Sequence, residues 1–219
     1  LALSGHRRLA AALCAAALLT ALAKLIIGVH NHSRVTRFDA PTMSCFAAHQ
    51  SAQLDWVAAV ITDLGSPWVT AAAGLLCGAV LAWQARSVLP GAVIIGTVAA
   101  AWAAETALKA LVDRPSTPAE LQLTSATHTF PSGHVTGTGA LLGIIAVCIG
   151  VGRGRIDRAC LAVCVLAGVL VVAVARLYLG VHWLTEVIGG ALLAGVFVSL
   201  GAIVMPSVTV HIHRSSSLH

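Results

Sequence analysis

Six apolar runs, each about as long as a helix that crosses a bilayer, constrain this chain more than any other feature. A hydrocarbon core about 30 Å thick requires roughly 20 apolar residues in helical form. The runs 9–29, 64–85, 87–112, 135–152, 159–175 and 187–205 supply them, with charges or helix breakers between. Hydrophobic residues make up 58% of the chain and charged residues only 10%, at a mean hydropathy of +0.91, outside the balance of a soluble domain. The expected fold class is all-α, a polytopic membrane protein of six transmembrane helices forming a single membrane-embedded domain over residues 1–219. The second and third runs meet at Arg86, which marks a tight turn.

The formal charge is +5, yet the Lys and Arg residues are scattered between apolar runs, so no nucleic-acid footprint is visible. The basic residues read instead as a topology signal. With the N-terminus inside, the cytoplasmic loops hold Arg7, Arg8, Arg86, Arg153, Arg155, Arg158 and Arg214, against Arg34, Arg37, Arg114 and Arg176 outside. Both termini are therefore expected in the cytoplasm. Residues 31–53 form a polar outer loop with room for a short amphipathic piece, and residues 206–219 form a polar tail. Lys24 sits near one end of the first run, where its stem can lie along the helix and its ammonium reach the interface. A rival reading of that run is a cleavable leader, with Arg7-Arg8 before an apolar stretch ending Ala21-Leu22-Ala23; the continuation through Leu25 to Val29 favours a span. The six cysteines lack the paired spacing of a zinc site and read as small buried hydrophobes. Gly74-x-x-x-Gly78 permits close helix contact without specifying an oligomer.

Ionisable residues gather at one membrane face. Lys109 closes the third run and Arg114 follows it, His134 opens the fourth, Arg176 closes the fifth, and His182 and Glu186 open the sixth. Each alone could be an interfacial anchor. A charge within a span costs roughly 2.5 to 3.5 kcal/mol on insertion scales, so several at one level point to a water-accessible functional site. Pro131-Ser132-Gly133-His134 precedes an apolar helix, with Ser132 able to cap it and Gly133 letting an oxyanion approach the backbone. A plain N-cap is the bland alternative. His182 and Glu186 stand one helical turn apart, so the carboxylate can accept the proton of one ring nitrogen and free the other for attack. Glu105 and Lys109 form a second i, i+4 pair, in the order that favours a helix.

Lys109, Arg114-Pro115, Pro131-Ser132-Gly133-His134 and Arg176 with the downstream His182 and Glu186 resemble, in this order, the three-part signature of the type 2 phosphatidic acid phosphatase (PAP2) superfamily. The resemblance covers residues 109–186 by motif, and the six-span layout extends it to most of the chain. It implies a PAP2-like helical bundle that works without metal or other cofactor. By position, His182 resembles the nucleophile that forms a phosphohistidine, His134 the general acid, and Glu186 the residue that orients His182. Lys109, Arg114, Ser132, Gly133 and Arg176 correspond to the phosphate cradle. The implied partners are membrane lipids and a lipid phosphate substrate: polyprenyl diphosphate, with its role in cell-wall carrier recycling, or phosphatidate or phosphatidylglycerophosphate. The implied location is the cell membrane, with the active site at the outer face.

Three positions depart from the family pattern. Ser116 stands where the first-motif Arg usually lies, Ala175 replaces the Ser before Arg176, and Glu186 replaces the usual Asp. These departures motivate one rival, a degenerate member that binds or moves phospholipid without hydrolysis. A second rival is a metal site of His134, His182 and Glu186, disfavoured because Lys109 and Arg176 suit an anion and repel a cation.

Overall fold

The computed structural model describes residues 2–123 and 130–205, and the tail expected over 206–219 lies outside the described residues. Helix α1 (Ala2–His30) is followed by a 3-10 turn (Arg34–Phe38), α2 (Asp39–Ala47), α3 (Ala52–Leu64), α4 (Pro67–Ala85) and α5 (Leu89–Val112). A second 3-10 turn (Ala119–Leu121) then leads to α6 (Gly133–Gly150), α7 (Arg155–Tyr178) and α8 (Leu184–Val204). Six helices, α1 and α4 to α8, are long and apolar enough to cross a bilayer, so the chain is a multi-pass membrane protein of the all-α class. Five of them start and end within four residues of the apolar run that foretold them, and α1 begins seven residues ahead of its run. The turn expected at Arg86 is there: α4 stops at Ala85, Arg86 takes a left-handed conformation at φ 48°, and Pro90 sits in the first turn of α5.

Helix α6 is the centre of the bundle. It packs against α4, α5, α7 and α8, and 56% of its most apolar stretch is buried, against 17% for α4. Lipid tails are as apolar as leucine, so close packing rather than the hydrophobic effect must hold such helices together, and small residues allow it. A Cβ on Gly139 would stand 2.8 Å from the Cβ of Ala194, and one on Gly143 2.6 Å from Val198, which is how α6 and α8 approach. Gly74 and Gly78 are used the same way within the chain: both are buried, facing Leu141 of α6 and Gly91 of α5 respectively. Helix α1 lies along α8 and buries Leu22 and Val29 with Leu193 and Phe130.

Two expectations need correction. The outer loop is largely helical, since a 3-10 turn, α2 and α3 occupy most of residues 34–64, and α3 takes in residues 52–63, ahead of the expected second span. At 13 residues α3 is only about 20 Å long, too short to cross, and it packs instead on the end of α7. The cysteines are also not uniformly buried: Cys148 is, whereas Cys14, Cys45, Cys160 and Cys164 are exposed and Cys77 is intermediate. In a bilayer an apolar residue incurs no penalty on the outward face of a span, so hydrophobicity alone does not place it inside.

Candidate active site

The start of α2, the end of α5, the start of α6, the end of α7 and the turn 179–183 into α8 meet at one end of the bundle. Gly180, at φ +70°, bends the chain back after α7 and brings His182 beside the last turn that carries Arg176. The hydroxyl of Thr117 donates to the Gly180 carbonyl at 2.6 Å and holds this turn against the loop after α5. On its far side Tyr178 donates its hydroxyl to Asp55 at 2.7 Å and accepts from the Ser51 amide at 2.8 Å, so α3 braces the end of α7.

One carboxylate organises the His182 side of the site. Glu186 is wholly buried in the first turn of α8, and its Oε2 accepts from His182 Nδ1 at 2.8 Å and from the Trp183 amide at 3.1 Å. It thus caps the helix and orients the ring through the same oxygen. An ionised carboxylate only accepts, so the proton belongs on Nδ1 and the Nε2 lone pair faces away from Glu186. Burial lowers the His182 pKa from the ordinary imidazole value, outweighing the opposite pull of Glu186; Arg176 and Lys109 push the same way as burial.

Arg114 is turned toward acids. Its Nη2 lies 2.8 Å from Asp39 Oδ2, its Nη1 donates to Thr185 Oγ1 at 2.6 Å and stands 3.4 Å from Glu186 Oε1, and its guanidinium faces the Trp183 ring at 5.6 Å. Asp39, buried at the start of α2, also accepts from the Thr185 amide at 2.9 Å and the Thr185 hydroxyl at 2.8 Å. The network ties α2, the loop after α5 and the start of α8 together.

Lys109, Arg176, Ser132 and His134 make up the rest of this end of the bundle. Lys109 Nζ stands 2.6 Å from Glu105 Oε1, as the i, i+4 spacing indicated. That oxygen finds no hydrogen-bond geometry, so the contact is chiefly Coulombic. A Cβ on Gly133 would come 2.7 Å from the same oxygen; the missing side chain admits a carboxylate to the start of α6. Ser132 does not cap α6 with its side chain as expected: its Oγ is buried without a partner, as is Arg176 Nε. The Ser132 amide donates instead to the Glu186 carbonyl at 3.1 Å, pinning the start of α6 to α8. His134 lies within Coulombic reach of Arg176, His182 and Lys109. Among the described residues no three His, Cys, Asp or Glu side chains gather as a metal ion requires.

Lys109, Ser132, Gly133, His134, Arg176, His182 and Glu186 therefore share one end of the bundle, with Arg114 on its flank. Ser116 is exposed at the rim, and Ala175 is buried against Ala58 of α3 and Tyr178. The residues that sequence reasoning missed are Asp39, Thr185, Thr117 and Tyr178. Asp39 carried the one available signal, as an acid in a stretch whose other charges are basic.

The PAP2 superfamily profile matches residues 88–209. No curated protein matches the chain. Among solved structures, the crystal structure of the first transmembrane PAP2 type phosphatidylglycerolphosphate phosphatase from Bacillus subtilis is similar, at TM-score 0.77 and 21% identity over 86% of this chain and 94% of that one. At this identity the likeness speaks to the fold.

Proposed function

The chain belongs to the PAP2 superfamily of phosphatases, and from that premise we propose that it hydrolyses a lipid phosphate or diphosphate at the outer membrane-water interface through a phosphohistidine on His182. The observation that carries this reading is a pairing. Glu186 holds His182 Nδ1, while a buried guanidinium and a buried hydroxyl, Arg176 Nε and Ser132 Oγ, stand without protein partners in the same end of the bundle as His134. Buried donors left unmet suit an incoming anion, since leaving them unmet permanently is costly.

In this mechanism Nε2 of His182 attacks phosphorus in line. A P–N bond forms as the P–O bond to the lipid breaks, and His134 gives a proton to the departing oxygen. Water then attacks the phosphohistidine, His134 takes its proton, the P–N bond breaks and inorganic phosphate leaves. Lys109, Arg176, Ser132 and the opening amides of α6 hold the equatorial oxygens, where charge gathers in the transition state. Phosphatidate, phosphatidylglycerophosphate and polyprenyl diphosphate all satisfy this chemistry. Phosphate release from each by the purified chain, with and without chelator, tests it; release is expected to persist in chelator. Equal background rates in the wild type and in His182→Ala would replace the reading with a lipid binder.

Two further outcomes are expected. Because burial depresses the His182 pKa, the ring stays neutral and nucleophilic below the ordinary imidazole value. The acid limb of kcat/KM against pH should therefore fall below about pH 6.5, and activity should be lost only as pH drops through the depressed value. A limb at or above that value would contradict a buried, neutral nucleophile. Second, with Arg114 engaged by Asp39 and Glu186, the cradle has one guanidinium fewer than the family pattern supplies. Ser116→Arg, at the exposed rim, should raise turnover several-fold; an unchanged or lower rate would count against a missing donor.

A further inference from the structure

At the end of the bundle away from His134, a cavity of about 660 Å³ opens between α1 and α7 over a floor made by α6 and α8. Helix α1 packs on α8 and α7 packs on α6, and the two outer helices leave the groove between them. It begins at Gly143, nine residues beyond His134, or about 14 Å along α6, and continues to Val151. It is therefore separate from the phosphate cradle. Its walls are apolar, with Leu18, Val147, Leu161, Val165, Leu166 and Val198 among them, and its size falls in the ~300–1,000 Å³ range of ligand pockets.

Three arginines, Arg7, Arg8 and Arg158, also line it, and among the described residues no acidic side chain does. Arg158 is built for this position. A Cβ on Gly150 would meet its Cγ at 3.4 Å and its Cδ at 3.8 Å, so the aliphatic stem lies along the end of α6 and carries the guanidinium past it. Arg153 and Arg155 stand at the same end, the one expected to face the cytoplasm and its anionic lipid surface.

We propose that this groove is a binding site for one anionic glycerophospholipid, its acyl chain along the apolar walls and its phosphate between Arg7, Arg8 and Arg158. The charge complementarity selects this occupant: an uncharged tail would leave three guanidinium groups without counter-charge, and a soluble anion would leave the apolar walls unfilled. The bound lipid joins α1 and α7 to the α6–α8 core. The inference does not depend on hydrolysis at the other end.

The test is native mass spectrometry of the purified full chain in neutral detergent, with dioleoylphosphatidylglycerol, the phosphatidylcholine with the same tails, and glycerol 3-phosphate as separate probes. One phosphatidylglycerol per chain should be retained, and glycerol 3-phosphate should not. Retention should fall at least tenfold in the triple variant Arg7→Gln, Arg8→Gln, Arg158→Gln, and equally in Ala146→Phe, which keeps the charges but fills the floor. His182→Ala should retain the lipid as the wild type does. Equal retention of phosphatidylcholine, retention untouched by either groove variant, loss in His182→Ala, or a dimer that Ala146→Phe abolishes would overturn the proposal. Phosphate release is read separately, so a chain that fails to hydrolyse lipid leaves this result standing.

Discussion

His182→Ala should lower phosphate release by roughly 10⁴-fold or more if the proposed mechanism holds, since the substitution removes the proposed nucleophile and with it the covalent route. A brief reaction with lipid phosphate labelled at phosphorus should leave label on the wild-type chain in an alkali-stable, acid-labile form, the signature of phosphohistidine, and none on the variant. Glu186→Gln gives the more discriminating result. The amide can turn its NH₂ toward Nδ1 and stabilise the tautomer with the proton on Nε2, which has no lone pair left for attack. By analogy with the carboxylate of a Ser-His-Asp triad, kcat should fall by roughly 10³- to 10⁴-fold. Glu186→Asp should fall between: Glu186 reaches His182 and the Trp183 amide with one oxygen and Arg114 with the other, and a chain one methylene shorter cannot span all three. Label on a residue other than histidine, or full activity in Glu186→Gln, would end the mechanism.

The spans and the meeting of the motifs were legible because both obey local rules. Apolar length marks a bilayer crossing, and in six alternating crossings the ends of the third and fifth helices and the starts of the fourth and sixth must surface together. The Glu105–Lys109 and His182–Glu186 contacts were legible for the same reason, each lying within one helical turn. What escaped is non-local. Asp39 meets Arg114 and Thr185 across 75 and 146 positions, and nothing at Asp39 indicates which distant segments it will touch. Helix α3 escaped because Gln53, Asp55, Thr62 and Asp63 break its apolar pattern below the length of a span; the partner of Asp55, Tyr178, is on α7. The Ser132 cap was misjudged because a cap was the best local use of that hydroxyl, whereas the tertiary fold gives its amide to the Glu186 carbonyl and leaves the hydroxyl unmet.

Asp39→Asn should lower kcat tenfold to a hundredfold while leaving KM nearly unchanged, although Asp39 lies on no catalytic motif. The carboxylate holds Arg114 at 2.8 Å, and Arg114 stands a further 3.4 Å from Glu186 Oε1. With Asp39 neutral, the guanidinium turns fully onto Glu186 and competes with His182 for its charge, so the ring loses part of its orientation while the cradle proposed on Lys109 and Arg176 stays intact. Asp39→Ala should also destabilise the fold by about 3–5 kcal/mol, the usual result of stranding one member of a buried pair; partial hydration of Arg114, whose side chain is 13% exposed, brings the expected value toward the lower figure. A double-mutant cycle of Asp39→Asn with Arg114→Gln, read on kcat, should give a coupling of at least about 1 kcal/mol. The opposite assignment makes a different forecast. Were Arg114 a direct phosphate ligand, Arg114→Gln would raise KM and leave the cycle near zero, because Asp39 would then act only on the fold. The ratio of kcat loss to KM rise therefore decides whether Arg114 holds the substrate or holds the acid that aims the nucleophile.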